Sequence, residues 1–166
     1  MAQDAQRRQQ TASCAEDGAI ELDAVDFTPW NNTSVLDKPG VVYSALSAGG
    51  IAATAIQAFT EATELIVGKE SVWQTNAVAV LSDGRAMADG APLPAQRGLT
   101  QLSPWAFAQY HVAGTSVCIY DPVANIAAAW RLVSAVYGVD LRTGHGLDEF
   151  VAKIRAQPGT WFGSVR

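Results

Sequence analysis

Apolar residues recur at steps of three and four along several stretches of the chain, the spacing that is typical of amphipathic helices. The clearest stretch covers about residues 51–69 and leads directly to Glu70. Counted back from Glu70, the positions on the same helix face are Ile56, Phe59, Thr63 and Ile66. We therefore expect a helix with a buried apolar face that ends at a half-buried glutamate.

Residues that begin and end helices frame the other helical stretches. Pro is favoured in the first helical turn, Ser and Asp are natural N-caps, and Gly is favoured just past the end. These signals predict helices that start at Pro39, Pro104 and Pro122, the last after the N-cap Asp121 and with its end at Gly138. A short amphipathic helix is predicted for residues 147–156. The fold class that this pattern predicts is mainly α.

Two parts of the chain lack helical periodicity. Residues 1–38 are expected to form a loose leader followed by an extended arm over the core, and residues 39–166 to form the folded domain. The interval between Asn76 and Arg97 contains Asp83-Gly84, Asp89-Gly90 and two prolines, and is predicted to be a loop. Loops of this length in compact domains are commonly functional, so this loop is a candidate wall of a site.

Composition narrows the classes of function. The 166 residues are 49% hydrophobic and 16% charged, which suits one compact domain. The net charge of −5, with no block of Lys and Arg, argues against nucleic acid as a partner. No apolar run reaches the 18 or so residues that a membrane-spanning helix needs, so no membrane insertion is expected.

Glu70 is the first candidate for chemistry. Removing a carboxylate from water raises the pKa of a carboxyl group, and an acid that stays protonated near neutral pH can serve as a general acid. The alternative is that Glu70 is an ordinary polar residue at a helix end. Periodicity alone leaves both interpretations open.

Three short motifs follow one another in the chain. They are Glu70-Ser71-x-Trp73-x-x-Asn76-Ala77, Gly98-Leu99-x-Gln101-x-x-Pro104, and the run from Tyr120 through Asn125 to Ala129. In this order they resemble the soluble lytic transglycosylase and goose-type lysozyme family. The similarity covers about residues 41–138 and is closest to transglycosylase-like domains in lysins and tail proteins of phages that infect actinobacteria.

The resemblance implies a lysozyme-like, lytic transglycosylase-type fold with a long cleft-wall loop. It implies cleavage of peptidoglycan between N-acetylmuramic acid and N-acetylglucosamine, with Glu70 first as general acid and then as base. The substrate-binding candidates are Ser71, Gly98, Leu99, Gln101, Tyr110, Asn125 and Tyr137. Neither a cofactor nor a metal is expected, and His111 has no Cys or His at ligand spacing. We expect a monomer that acts on the bacterial cell wall, delivered by a phage or by another route, since no signal-peptide pattern follows the first residues.

Several alternatives stay open at this stage. Asp83 and Asp89 are candidates for a second carboxylate, but both also suit turns beside glycine. Without a second carboxylate, a substrate-assisted route to 1,6-anhydromuramyl ends is implied. Where related sequences usually carry a tyrosine, this chain has Leu132, with Tyr137 or Tyr120 as replacements for the phenol. A degenerate module that binds glycan without cutting it is the rival interpretation.

The two cysteines are far apart in the sequence. Cys14 lies in the leader and Cys118 lies just before the Asp121 helix, so one long-range disulfide between them is a candidate. Two buried thiols are the other option.

Overall fold

The fold is mainly helical. A computed structural model describes residues 18–158 of the chain. Its helices are α1 (Lys38–Ala48), α2 (Ile56–Glu70), α3 (Pro104–Tyr110), α4 (Pro122–Tyr137) and α5 (Leu147–Ala156). Two short strands, β1 (Val78–Ala79) and β2 (Gln96–Arg97), pair in an antiparallel manner. The predicted mainly α class is confirmed, and in residues 18–158 no helix is both long and apolar enough to cross a bilayer.

Side-chain caps set the ends of α3 and α4 where the sequence predicts them. The Ser103 side chain accepts a hydrogen bond from the Ala106 N–H at 3.1 Å, and the Asp121 carboxylate accepts one from the Ala124 N–H at 2.8 Å. Both caps satisfy a backbone donor that would otherwise lack a partner in the first turn. Gly138 ends α4 in the left-handed region, at φ 71°, which glycine adopts without strain.

Helix α2 starts later than predicted. The expected start near residue 51 was wrong, because a 3-10 turn at Ala53–Ala55 precedes the α-helix, which begins at Ile56. Ala52 is extended at ψ 145°, and its N–H donates to the Leu141 carbonyl at 3.3 Å. This tertiary hydrogen bond, and the lack of a side-chain N-cap, keep the preceding residues out of the helix.

Helix α4 lies at the centre of the molecule. It packs against α1 and α3, while α2 packs against α1 and α5. Its residues from Ala124 to Trp130 are all buried, so the helix is covered on every side over two turns. The Trp130 indole donates to the Thr63 hydroxyl at 2.8 Å and meets the Phe59 ring edge-on at a centroid distance of 4.8 Å. These contacts join α4 to the apolar face of α2.

The arm that precedes α1 is part of this core. It includes one 3-10 turn, Leu22–Ala24, and places the side chains of Val25 and Phe27 inside the hydrophobic core. The backbone of Asp26 bonds to residues on either side of Cys118, with its N–H donating to the Val117 carbonyl at 2.9 Å. The predicted leader lies almost wholly before Gly18, outside the described residues.

Candidate functional site

Glu70 is the last residue of α2 and is half-buried. Ser71 closes the helix: its N–H and its hydroxyl both donate to the Val67 carbonyl, at 3.1 and 3.2 Å. The buried hydroxyl of Ser71, a substrate-binding candidate, therefore serves the helix end in this structure. Glu70 lies on the same helix face as the buried residues Phe59, Thr63 and Ile66, at the point where the chain leaves the helix.

The chain turns sharply after Ser71. Val72 and Trp73 both have positive φ angles, 52° and 62°, a conformation that is strained for a β-branched residue such as valine. Val72 is 74% exposed, so tight packing around its side chain does not impose this conformation. Strained backbone of this kind is concentrated at functional sites. We call residues 71–77 the site loop.

The site loop meets the second motif directly. The Ala77 carbonyl accepts hydrogen bonds from the Gly98 N–H and from the Gln101 side-chain amide, both at 3.0 Å. Beyond Ala77, β1 pairs with β2, so that Val78 lies opposite Arg97. The structure thus brings together the Glu70 stretch and the Arg97 stretch that the sequence analysis singled out. We call residues 97–102 the buried turn, because all of its side chains are buried.

The side chain of Asn125 is hydrogen-bonded to the buried turn. Its side-chain oxygen accepts from the Thr100 N–H at 2.9 Å and the Thr100 hydroxyl at 2.7 Å. Its side-chain nitrogen donates to the Arg97 carbonyl at 3.1 Å and the Ile119 carbonyl at 2.9 Å. These four bonds use the full capacity of the amide, and Asn125 has no exposed surface. It can affect a ligand through the turn that it holds, but not by direct contact.

Gly98 is required by this arrangement. Its φ is +84°, and a Cβ atom there would lie 2.3 Å from the Asn125 side-chain nitrogen. Leu99 is fully buried in the core, and the Gln101 amide also donates to the Gly98 carbonyl at 2.9 Å. Gly98, Leu99, Gln101 and Asn125 therefore form one buried unit that fixes the position of Ala77 and the site loop.

The two candidate tyrosines lie elsewhere. Tyr110 ends α3 and packs partly against the core. Tyr137 lies near the C-terminal end of α4, so 12 residues, or about 18 Å of helix, separate it from Asn125. Its ring is 5.2 Å from that of Phe150, and burial raises the pKa of Tyr137. The structure does not bring Tyr137 to the end of α4 where Asn125 lies.

Asp89 is engaged in a buried ion pair. Its carboxylate accepts from the Arg97 Nε at 2.6 Å and from the Arg97 Nη2 at 3.2 Å, and the Tyr120 hydroxyl donates to it as well. The side chains of Arg97 and Asp89 are 0% and 3% exposed. Burial alone would raise the pKa of Asp89, but the hydrogen bonds from Arg97, Tyr120 and the Ala91 N–H outweigh it and hold that pKa below its ordinary value. Burial of Tyr120 and its hydrogen bond to Asp89 raise the pKa of Tyr120.

The Asp89–Arg97 pair shapes the predicted wall loop. Residues 85–93 form a hairpin, in which the Leu93 N–H donates to the Arg85 carbonyl at 2.7 Å. The Arg97 guanidinium also donates to the carbonyls of Ala91, Pro92, Leu93 and Ala95. Asp83, the other candidate second carboxylate, is exposed before this hairpin. The hydrogen bonds of Arg97 therefore hold the hairpin, which is the predicted wall, in its conformation.

Sequence reasoning missed the role of Arg97, although the chain carries a signal for it. Arg97 is the sole Lys, Arg, Asp or Glu between Asp89 and Asp121. A lone charge inside a long uncharged run is costly to bury unless it finds a partner, and the nearest acidic residue is Asp89.

His111 and Cys118 both make contacts with backbone carbonyls of the protein. The His111 ring is buried, with Nδ1 2.7 Å from the Gly18 carbonyl and Nε2 3.0 Å from the Ser116 carbonyl. Among residues 18–158, no group of three His, Cys, Asp or Glu side chains is arranged to hold a metal. The Cys118 thiol forms no disulfide with any residue in 18–158 and donates to the Thr28 carbonyl at 3.2 Å, and burial raises the pKa of Cys118. Cys14 lies outside the described residues, so the bridge stays a prediction.

Chemically, the arrangement offers one half-buried carboxyl group, Glu70, at the edge of a strained loop. Behind that loop lies a buried scaffold in which the Asn125 and Gln101 side chains are hydrogen-bonded to the backbone. Such a scaffold can hold backbone groups of the loop in fixed positions for a ligand. Comparisons of this chain with protein-family models, with curated proteins and with solved structures give no match.

Proposed function

We propose that this protein cleaves the glycan strands of peptidoglycan at the bond between N-acetylmuramic acid and N-acetylglucosamine, with Glu70 as the catalytic acid. One observation carries the proposal most directly. The three motifs of the resemblance converge in space: the site loop after Glu70 is bonded to the buried turn through Ala77, and Asn125 holds that turn from the third motif. A lysozyme-like fold and action on the bacterial cell wall, as a monomer, belong to the same proposal.

The proposed cleft lies between the end of α2 and the hairpin at residues 85–93. The site loop and the hairpin flank the two strands, because β1 follows the loop and β2 follows the hairpin. A glycan strand in this cleft would pass the carboxyl group of Glu70. The Asp89–Arg97 pair supports the cleft by fixing the hairpin from inside.

The chemistry needs one acid that becomes a base. Glu70 donates its proton to the glycosidic oxygen as the bond from that oxygen to C1 of the muramic acid breaks. The N-acetyl group of the same sugar stabilises C1, and the 6-hydroxyl then forms a new bond to C1 while Glu70 recovers a proton from it. General acid catalysis of this kind contributes about 10² to 10⁴ in rate.

The state of the other carboxylates favours this substrate-assisted route. Asp89 is held in an ion pair whose atoms are almost entirely shielded from solvent, which removes it as a nucleophile or base. Asp83 lies in an exposed stretch before the hairpin. A hydrolase would need a second carboxylate at a set distance from the acid. We therefore propose 1,6-anhydromuramyl products rather than reducing ends.

A non-catalytic glycan-binding module is the second candidate. The observation in its favour is Leu132, which stands where related sequences usually have a tyrosine and is fully buried. A side chain at that position points into packed core, so a larger phenol there would overpack it. Glu70 would then lack that phenol nearby, which favours binding of the glycan without cleavage.

The test is mass spectrometry of purified actinobacterial peptidoglycan after incubation with the full chain. The matched variants are Glu70→Gln and Glu64→Gln; both glutamates lie on α2, and Glu64 is exposed. We expect anhydromuramyl fragments, one water lighter than hydrolysed ones, from the unmodified chain and from Glu64→Gln. Glu70→Gln should release none, while its thermal midpoint stays close to that of the unmodified chain.

Each other outcome has a defined meaning. Reducing muramic acid ends would replace the transglycosylase proposal with hydrolysis and direct attention to Asp83. Binding to peptidoglycan without any released fragment would support the binding module. Full cleavage by folded Glu70→Gln would overturn the assignment of the acid.

A further inference from the structure

The arm is fastened to the site loop by side chains of the loop itself. The Trp30 N–H donates to the Asn76 side-chain oxygen at 2.7 Å, and the Asn76 side-chain nitrogen donates to the Trp30 carbonyl at 2.9 Å. Next to this pair, the Thr75 hydroxyl donates to the Asn32 side-chain oxygen at 2.6 Å. The side-chain amide of Asn76 thus bonds to both the N–H and the carbonyl of Trp30. The residue that fixes the backbone of Trp30 lies six positions beyond Glu70 in the chain.

The side chain of Trp30 is only partly buried. It is 36% exposed, whereas Phe27 on the same arm is 5% exposed. A large aromatic ring in water carries an energetic cost that a purely structural arm would avoid. Aromatic side chains commonly line ligand sites, so an indole that is partly exposed on a hydrogen-bonded backbone is a candidate ligand contact.

Trp73, the tryptophan of the site loop, is partly buried. Trp73 packs against the core, and the Lys38 ammonium lies 5.1 Å from its ring centroid. Contacts at residues 30 and 32 of the arm and at residue 38, where α1 begins, thus follow residues 76, 75 and 73 of the loop in reverse order. The arm runs antiparallel to the site loop, and at the Asn76 end it leaves the indole of Trp30 available.

We propose that Trp30 is a sugar-stacking platform of the site, held in place by Asn76. The ligand would be a pyranose ring of the β-1,4-linked N-acetylamino-sugar strand. The C–H face of such a ring is apolar and flat, so it matches an indole face. Trp30 lies before residues 41–138, outside the stretch that carries the resemblance. This inference rests on the proposed function, because it names a contact for the same substrate.

The test measures sugar binding separately from cleavage. The full chain carrying Glu70→Gln is titrated with chitohexaose, a soluble β-1,4-linked oligomer of N-acetylglucosamine, by isothermal titration calorimetry. Adding Trp30→Ala should weaken binding about tenfold, whereas Trp30→Phe should retain most of the affinity. Asn76→Ala, which keeps the indole but releases its backbone, should weaken binding by a smaller factor. Tyr43→Ala is the matched control, since Tyr43 is an aromatic residue on α1 that is 64% exposed.

The outcomes separate this inference from the catalytic proposal. If chitohexaose binds in a Trp30-dependent manner but peptidoglycan is never cleaved, the platform stands and the catalytic proposal fails. Unchanged affinity in a folded Trp30→Ala variant would overturn the platform, even if cleavage depends on Glu70. Loss of binding in Tyr43→Ala to the same extent, or no binding by the parent chain, would also overturn it.

Discussion

The site loop and the buried turn meet at Ala77, and both contain residues other than glycine at positive φ, but they support those residues differently. In the buried turn, Gln101 has φ 57° and its side-chain amide donates to the carbonyls of Ala77 and Gly98. In the site loop, Val72 has φ 52° with a side chain that is 74% exposed. One turn offsets its backbone strain with buried hydrogen bonds, while the other leaves it at the surface.

The buried turn and the site loop therefore have different roles in the candidate site. The buried turn behaves as scaffold, because its hydrogen bonds are made within the protein and no water competes for them. The site loop follows the half-buried Glu70 directly and carries near its end Asn76, whose side chain is hydrogen-bonded to the backbone of Trp30. We expect substitutions in the buried turn to act on stability and those around the site loop to act on binding or turnover.

The largest expected effect comes from Arg97. Arg97→Lys keeps the charge but removes the planar fork that contacts Asp89 and four backbone carbonyls, so we expect a loss of about 3 kcal/mol in the free energy of unfolding. Arg85→Lys is the control, since Arg85 is exposed in the same hairpin and should change stability by less than about 0.5 kcal/mol. Urea denaturation compares the two. Equal stability of both variants would show that the pair does not hold the wall.

Gly98→Ala should have the next largest effect. The added Cβ would lie 2.3 Å from the Asn125 side-chain nitrogen, and alanine would also have to adopt the positive φ of Gly98. We therefore expect a loss of about 2–3 kcal/mol in the free energy of unfolding. Gly50 has nearly the same φ, +82°, but a Cβ there would have no atom within 4 Å, and Gly50→Ala should cost only about 1 kcal/mol. Thermal or urea unfolding measures the difference, which isolates the contact with Asn125 from backbone strain. A similar loss in both variants would contradict the role given to Asn125.

The same type of substitution should have opposite signs in the two turns. Gln101→Gly relieves a positive φ but loses two buried hydrogen bonds, so we expect a net loss of about 1 kcal/mol. Val72→Gly relieves strain at an exposed position, so we expect a net gain of about 0.5 kcal/mol after the entropy cost of glycine. Chemical denaturation of both variants measures the two changes. A loss of stability in Val72→Gly would mean that the exposed valine makes contacts that offset its strain.

The smallest expected effect is a pH dependence from Asp89. Its pKa is lower in the folded protein than in the unfolded chain, so its ionised form stabilises the fold above the unfolded pKa, near 4. This stability should be lost as the pH falls through the lower, folded pKa. In Asp89→Asn the acid limb of the stability curve should be flatter than in the unmodified protein, and the control Asp83→Asn should leave it unchanged. Identical acid limbs in all three proteins would contradict the pairing with Arg97.

Local sequence was enough to define most of the helices and their ends. Ser103 and Asp121 cap α3 and α4 with their own side chains, and Gly138 ends α4, because these effects depend on groups within one helical turn. The apolar period of α2 likewise predicted which face is buried and that Glu70 would end the helix. The start of α2 was the exception, since a hydrogen bond to Leu141 from elsewhere in the chain determined it.

The use of the candidate site residues depends instead on the packed fold. The spacing of Gly98, Gln101 and Asn125 does not reveal whether their polar groups face a ligand or one another. In the fold, the side-chain amides of Gln101 and Asn125 donate to backbone carbonyls of the buried turn. The lack of other charged residues near Arg97 indicates that it needs a partner, but the geometry of its pairing with Asp89 depends on a hairpin that the loop pattern did not predict. Burial and pairing depend on contacts between residues that are distant in the chain, and local sequence carries little information about such contacts.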